Sequence, residues 1–201
     1  MKLLIFSDLH GDARALQRLS STEADYYFSA GDLSNFAKGL DKLGPILERH
    51  KERTYSIPGN HESEQDNAAF CQRYGFQDLH GRSIALGGYS VAALGYSNIT
   101  PFKTPGEYTE EEIAARLAPF EKLPDPMVLI CHCPPKGTLL DRAGENMHFG
   151  STAVREFIDR RQPAYFYCGH VHEAAGAVDR IGKTQGWNVG KQGVVLEIER
   201  K

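Results

Sequence analysis

Five polar clusters each follow directly on a short apolar run: Asp8-Leu9-His10, Gly31-Asp32, Gly59-Asn60-His61, His132 and Gly169-His170-Val171-His172. Carboxylate, carboxamide and imidazole together make mixed oxygen and nitrogen ligation, which suits Mn, Fe, Zn, Co or Ni and suits Ca less. Residues at the ends of parallel strands converge in space although they lie far apart in the chain. Two Asp, one Asn and five His gathered at one sheet edge would make a site for more than one metal ion. In extended backbone, side chains two residues apart share a face, so Asp8 and His10 can grip one ion, and so can His170 and His172. Asp32 has two oxygens and can bridge two ions. Ions about 3.5–4 Å apart can hold a hydroxide between them and clamp phosphate oxygens for in-line attack. Gly31, Gly59 and Gly169 stand just before candidate ligands, where positive φ or a close backbone approach needs a residue without Cβ.

The elements that must position these groups follow from hydrophobic periodicity. A strand over 2–7 leads to a helix over 12–20 with Ala13, Leu16 and Leu19 on one face. A strand over 25–30 leads to a helical region beginning near Phe36, where Phe36, Leu40, Leu43 and Leu47 repeat at helical spacing and Gly44-Pro45 predicts a break or kink. A strand over 53–57 precedes a helix over 62–74. Segments 83–88 and 89–96 read as a hairpin. Thr109-Glu110-Glu111-Glu112 is a capping box opening a helix with Ile113, Leu117 and Phe120 inward. A strand over 127–132, a patternless loop over 136–150, a helix capped by Ser151 or Thr152, and a strand over 164–168 come next. The tail, 174–198, reads as two or three antiparallel strands. Repeated βαβ units followed by hairpins predict an α/β fold of two sheets packed face to face with helices outside.

At 201 residues the chain has the length of one domain, expected over 1–201, with an ordinary soluble composition: 41% apolar and 24% charged. A net charge of −3 argues against bulk binding to nucleic-acid polymers or to an anionic membrane. No apolar run approaches the roughly 20 residues of a membrane span. The apolar stretch 3–6 is too short for a signal peptide, so the expected location is cytoplasmic. Cys71, Cys131, Cys133 and Cys168 are then expected to be reduced, with Cys131 and Cys133 as buried core residues facing away from His132.

The ordered set Asp-x-His, Gly-Asp, Gly-Asn-His, His and Gly-His-x-His, spread from residue 8 to residue 172, resembles the calcineurin-like metallophosphoesterases. The resemblance implies a four-layer α/β/β/α sandwich with two mixed sheets. It implies that Asp8, His10 and His172 bind a first divalent ion, that Asn60, His132 and His170 bind a second, and that Asp32 bridges both. Manganese is the first expectation for the two ions, with Fe, Zn, Ni or Co compatible. It implies that His61 faces the substrate as acid or hydrogen-bond donor rather than as a ligand, and that a hydroxide bridging the metals is the nucleophile. The expected function is hydrolysis of a small phosphoester. A phosphodiester is favoured because the chain is short and has no evident cap domain or extra basic loop; a phosphomonoester is the alternative. Serine/threonine protein phosphatases place Asp-Arg-Gly after Gly-Asp, whereas this chain reads Leu33-Ser34-Asn35-Phe36. Segment 132–141 with Gly150-Ser151 looks more like small stand-alone phosphodiesterase-like members.

Each motif taken singly has an ordinary reading. Asp8-Leu9-His10 could be a helix cap beside a surface histidine, and Gly31-Asp32 and Gly59-Asn60-His61 could be turns. Cys131-x-Cys133 with the 170–172 pair could suggest thiolate zinc, but its spacing does not match paired structural ligands. A non-catalytic scaffold of the same fold would be expected to lose a ligand or the His beside Asn, and none is lost here. Asn60 and His61 are expected to touch substrate. His148, in the 136–150 loop, is either a solvent-exposed histidine or one that reaches the substrate over the metals. His50 and His80 read as surface residues, and Asn35-Phe36 as a helix start rather than pocket lining. Oligomeric state is not legible in the sequence.

Overall fold

The computed structural model describes residues 1–199; the last two residues of the expected 1–201 domain lie outside the described residues. In chain order the strands and helices are β1 (Lys2–Phe6), α1 (Ala13–Ser21), β2 (Tyr26–Ser29), α2 (Leu40–Leu47), β3 (Thr54–Ser56), α3 (Glu64–Tyr74) and β4 (Gln77–Asp78). They continue with β5 (Arg82–Leu86), β6 (Tyr89–Leu94), β7 (Ser97–Asn98), β8 (Glu107–Tyr108), α4 (Glu110–Leu117), β9 (Met127–Cys131) and α5 (Thr152–Arg161). The chain closes with β10 (Tyr165–Cys168), β11 (Val178–Ile181), β12 (Thr184–Asn188) and β13 (Val194–Glu197).

Two mixed sheets result. The first runs β13-β1-β2-β3-β4, the second β11-β12-β10-β9-β6-β5, and β7-β8 form a separate small pair. The βαβ crossovers keep β1, β2 and β3 parallel, as they keep β9 parallel to β6 and β10. Three apolar layers hold the sandwich together. Leu3, Ile5, Phe28, Val91, Val128, Ile130 and Tyr167 pack between the sheets. Phe6, Leu16, Leu19, Tyr27, Leu43, Leu47 and Phe70 seal α1, α2 and α3 onto the first sheet. Leu129, Phe166, Ile113, Leu117, Val154 and Phe157 seal α4 and α5 onto the second. Each strand in the middle thus shows apolar side chains on both faces, the pattern of sheet covered on both sides, and the architecture is the expected α/β/β/α.

Helix starts follow the capping chemistry. Ser63 and Asp66 bond reciprocally at α3, Thr109 and Glu112 do so at α4, and Ser151 accepts from Val154 at α5; each such cap contributes about 1 kcal/mol.

Two expectations need correction. No helix begins at Phe36: Phe36 and Ala37 both have positive φ, and α2 starts at Leu40 and runs unbroken through Gly44-Pro45. Proline costs a helix one hydrogen bond because it has no N–H. Here the Asp41 carbonyl, four residues before Pro45, accepts the Tyr74 hydroxyl at 3.2 Å instead. Gly44 makes this possible, since a Cβ there would overlap the Tyr74 ring. The tail is also not one antiparallel unit. β11 and β12 form a hairpin, but β12 joins β10 in parallel, and β13 leaves for the other sheet to pair antiparallel with β1.

Candidate active site

The carboxyl ends of β1, β2 and β3 in one sheet and of β9 and β10 in the other meet at a single edge. Asp8, Asp32, Asn60, His132 and His170 all arrive there because each sits one to four residues past its strand. Backbone bonds tie the loops together: Asp8 N–H donates to Gly31 O at 3.1 Å, His10 N–H to Asp32 O at 3.0 Å, and Gly169 N–H to His132 O at 3.0 Å.

The side chains gather in two groups. Donor atoms of Asp8, His10 and His172 lie within 4.8 Å of one another, and so do those of Asp32, His132 and His170; His10, Asp32 and His61 form a third, overlapping set at the junction of the two. Asn60 Oδ1 joins the second group, 2.8 Å from His170 Nδ1 and 3.1 Å from His132 Nε2. Asp32 stands between the groups, its Oδ2 3.6 Å from His10 Nε2 and 3.4 Å from His132 Nε2. The other oxygen, Oδ1, accepts the His61 N–H at 2.9 Å.

Period-two alternation is not what brings Asp8 and His10 together. Asp8 (φ 56°), His10 (φ 47°), Asp32 (φ 52°) and His170 (φ 70°) all adopt left-handed backbone. That conformation costs a non-glycine residue of order 1–3 kcal/mol and concentrates at functional sites. His170 and His172 are accordingly divided between the two groups rather than sharing one. Gly31 has φ 101° and, like Gly59 and Gly169, no room for a Cβ: one on Gly31 would overlap the Gly59 backbone, one on Gly59 would overlap Asp32 Oδ1, and one on Gly169 would overlap Ser7 and Asp8.

Neighbouring residues fix each ring. His132 Nδ1–H donates to Ala30 O at 2.8 Å, which turns Nε2 toward Asp32 and Asn60. His10 Nδ1–H donates to Asn35 Oδ1 at 2.8 Å, which leaves its Nε2 2.9 Å from His172 Nε2. Glu62 is wholly buried; its carboxylate accepts the N–H groups of Asp32 and Gly59, both at 3.1 Å, and the N–H and hydroxyl of Ser34, both at 2.8 Å. His61 packs edge-on to His10 and Phe36, and its buried Nδ1 has no hydrogen-bond partner among the described residues.

The electrostatics mark the place where a cation belongs. His132 is buried, which disfavours its charged form, yet the Asp32 carboxylate beside it outweighs burial and raises the ring to about 9. Burial likewise works against ionised Asp32, but His132 and the His61 N–H hold its carboxyl well below the usual range. Burial and then His132 push His170 down to about 4. With His132 Nδ1–H committed to Ala30, the proton that the raised ring retains sits on Nε2, facing Asn60 Oδ1 and Asp32 Oδ2; once that proton is displaced, imidazole, carboxamide and carboxylate donors point at one place. Such a set is satisfied by a positive charge, and carboxylate, carboxamide and imidazole fit a transition-metal dication.

A cavity of about 590 Å³ opens over the first group, lined by Asp8, Leu9, His10, Asn35, His61, His172, Ala175, Gly190 and Lys191. Asn35 is therefore pocket lining and a partner of His10, not a helix start. Lys191 and Glu62 were not singled out as site residues from sequence; Glu62 directly follows the Asn60-His61 pair, which was the available signal. His148 lies outside the residues lining this cavity, and its Nδ1 is 2.7 Å from the buried carboxylate of Asp141. His80 is not a surface residue: its Nδ1 accepts the Gly95 N–H at 2.9 Å and its Nε2 meets Tyr108 and Glu64. Half-buried His50 stacks on Tyr27 at 4.1 Å. All four cysteines are buried and unpaired.

The sandwich brings Asp, Asn and His together at the strand ends, the arrangement that the resemblance to metallophosphoesterases implies. Residues 1–174 match the calcineurin-like phosphoesterases, and the chain belongs to that family. The uncharacterized protein MJ1162 of Methanocaldococcus jannaschii is 30% identical over 190 residues, covering 92% of this chain and 85% of that one. Among solved structures, TT1561 of Thermus thermophilus superposes with a TM-score of 0.71 at 18% identity, covering 95% of this chain and 90% of that one. The phosphopantetheinyl hydrolase PptH of Mycobacterium tuberculosis does so with a TM-score of 0.67 at 17% identity, covering 94% and 88%. At these identities the structural likeness is one of fold.

Proposed function

We propose that this protein is a phosphodiesterase acting on a small phosphoester with two divalent ions, manganese first among the candidates. The observation that carries the dinuclear reading is the placement of Asp32 between the two donor groups, at 3.6 Å from His10 and 3.4 Å from His132. Asp8, His10 and His172 would hold one ion, Asn60, His132 and His170 the other, with Asp32 common to both. Bound ions would supply Lewis acidity and a strong nucleophile at neutral pH.

The chain's own residues do the rest. His61 stands in the cavity wall beside His10 and is placed to donate a proton or hydrogen bond to the leaving oxygen. Burial lowers its pKa from the ordinary imidazole value. Asp32 Oδ1 holds the His61 backbone N–H, which couples the position of the acid to that of the shared ligand.

The cavity lining supports a diester over a monoester. Among the described lining residues Lys191 is the one permanent cation, and its ammonium is 3.5 Å from Asp12, which offsets its charge. A diester carries one negative charge at the phosphoryl group and needs less compensation than a dianionic monoester. His148 as a substrate contact remains an expectation from sequence within this proposal; its Nδ1 is held at 2.7 Å from Asp141, outside the cavity lining. A cytoplasmic location belongs to it too, supported by the four unpaired cysteines; among the described residues no helix is long and apolar enough to cross a membrane.

The test compares bis(p-nitrophenyl) phosphate with p-nitrophenyl phosphate in Mn²⁺, using Asp32→Asn as control. Faster diester turnover that the substitution abolishes is expected. Faster monoester turnover would replace the diester reading, and no metal-dependent turnover on either would sink both.

A further inference from the structure

Segment 97–108 leaves the second sheet after β6 and returns as the small parallel pair β7-β8, closed by Ser97 N–H donating to Gly106 O at 3.0 Å. This finger rests on Asn60. Gly106 N–H donates to Asn60 O at 3.0 Å, and Gly106 has no room for a Cβ against Gly59 O and the Tyr96 ring. The Asn60 side chain is buried, and its Nδ2 donates to Thr104 Oγ1 at 3.1 Å. Thr104 Oγ1 in turn donates to Glu107 Oε1 at 2.6 Å. The same oxygen accepts the Thr104 N–H at 2.8 Å and the Thr100 hydroxyl at 2.5 Å.

The polarity of these bonds reaches the metal centre. An ionised carboxylate only accepts hydrogen bonds, so the Thr104 proton is committed to Glu107 and its oxygen can only accept from Asn60. An amide nitrogen satisfies that acceptor and an amide oxygen does not. The carboxamide is thereby prevented from flipping, and its oxygen faces His132 and His170. We propose that Thr104 and Glu107 are positioning residues for the metal centre, holding the Asn60 carboxamide with its oxygen toward the second ion. The proposal rests on the reading of Asn60 as a ligand. Partners that orient a ligand typically change metal affinity or activity about 10–100-fold when removed.

The test is calorimetric titration of metal-free protein with Mn²⁺, with bound metal counted after dialysis. Wild type is expected to bind two ions. Thr104→Val, which keeps the side-chain shape and removes the acceptor, should bind one ion as wild type does and the other at least ~10-fold more weakly. Thr104→Ser should restore that site. Glu107→Gln should weaken the same site to a lesser degree, and it stands as the test if Thr104→Val does not fold by circular dichroism. Wild-type affinities at both sites in the folded variants would overturn the proposal, as would equal weakening of both sites by valine with no rescue by serine. If wild type itself binds fewer than two ions, the dinuclear reading fails instead; if Asn60→Ala leaves binding unchanged, the reading of Asn60 as a ligand fails.

Discussion

The Glu62 carboxylate lies under the Asp32 backbone and accepts its N–H at 3.1 Å, while also accepting from Gly59 and Ser34. One buried side chain thus ties the loop after β2 to the loop after β3. Substitution Glu62→Gln replaces one acceptor oxygen by an NH₂ that faces N–H donors. Leaving such buried groups mispaired costs about 1–3 kcal/mol. Urea denaturation should show a loss of that size, accompanied by weaker Mn²⁺ binding; an unchanged midpoint would refute the role assigned to Glu62.

Convergence of electron-pair donors at the strand ends predicts that metal stabilises the fold. Binding to the native state alone adds about 2.7 kcal/mol when free ligand is 100 times Kd. Mn²⁺ should raise the thermal midpoint of chelator-treated protein, and Asp32→Asn should remove most of that rise because both donor groups lose their shared member. Differential scanning calorimetry reads both.

His61 and His132 separate catalysis from ligation. His61→Asn should lower kcat by about 10²–10⁴, the range of a lost general acid, with bound metal retained. His132→Ala should lose metal as well as turnover. Metal loss in the His61 variant would make it a ligand and overturn its assignment.

Asn35 holds the His10 ring through Nδ1 at 2.8 Å. Asn35→Ala frees that ring to rotate, and metal affinity or activity should fall about 10–100-fold. Measured Mn²⁺ affinity within a factor of two of wild type would show that the ring is fixed by packing instead.

Acid should destabilise the metal-free protein through His80 and Glu64. Burial depresses His80, so its unfolded form takes up a proton near 6.5 before the folded form does. Its contribution is complete above 6.5 and is lost as pH falls below that value. The Tyr108 hydrogen bond lowers the pKa of Glu64 from 4.5, so its contribution too is present above 4.5 and lost below. The urea stability that wild type holds over His80→Gln should shrink between pH 7.5 and pH 5.5; His132, raised to about 9, contributes in the opposite sense in both proteins. Equal slopes in the two proteins would exclude His80 as a source.

The clusters are legible because short apolar strands ending in Asp, Asn or His leave a linear record, and the parallel βαβ arrangement brings strand ends to one edge whatever the loops do. Helix caps at Thr109 and Ser151 are legible for the same reason, since each acts on backbone three residues away. Pro45 misleads because the group that compensates it, the Tyr74 hydroxyl, comes from another helix. His80 misleads because its partners Tyr108, Glu64 and Gly95 are distant in the chain.

The sequence by itself therefore determined which donors this protein carries and in what order they reach the sheet edge. Residue spacing left His170 and His172 able to share one ion; the family resemblance implied their division, and the tertiary structure is what produces it, with His170 beside Asn60 and His132, and His172 beside Asp8 and His10. That division depends on left-handed backbone at Asp8, His10, Asp32 and His170 and on fixed partners such as Ala30 O, Asn35 and Thr104. Neither is encoded locally, because a ring or an amide is oriented by hydrogen bonds from residues brought near only when both sheets have packed.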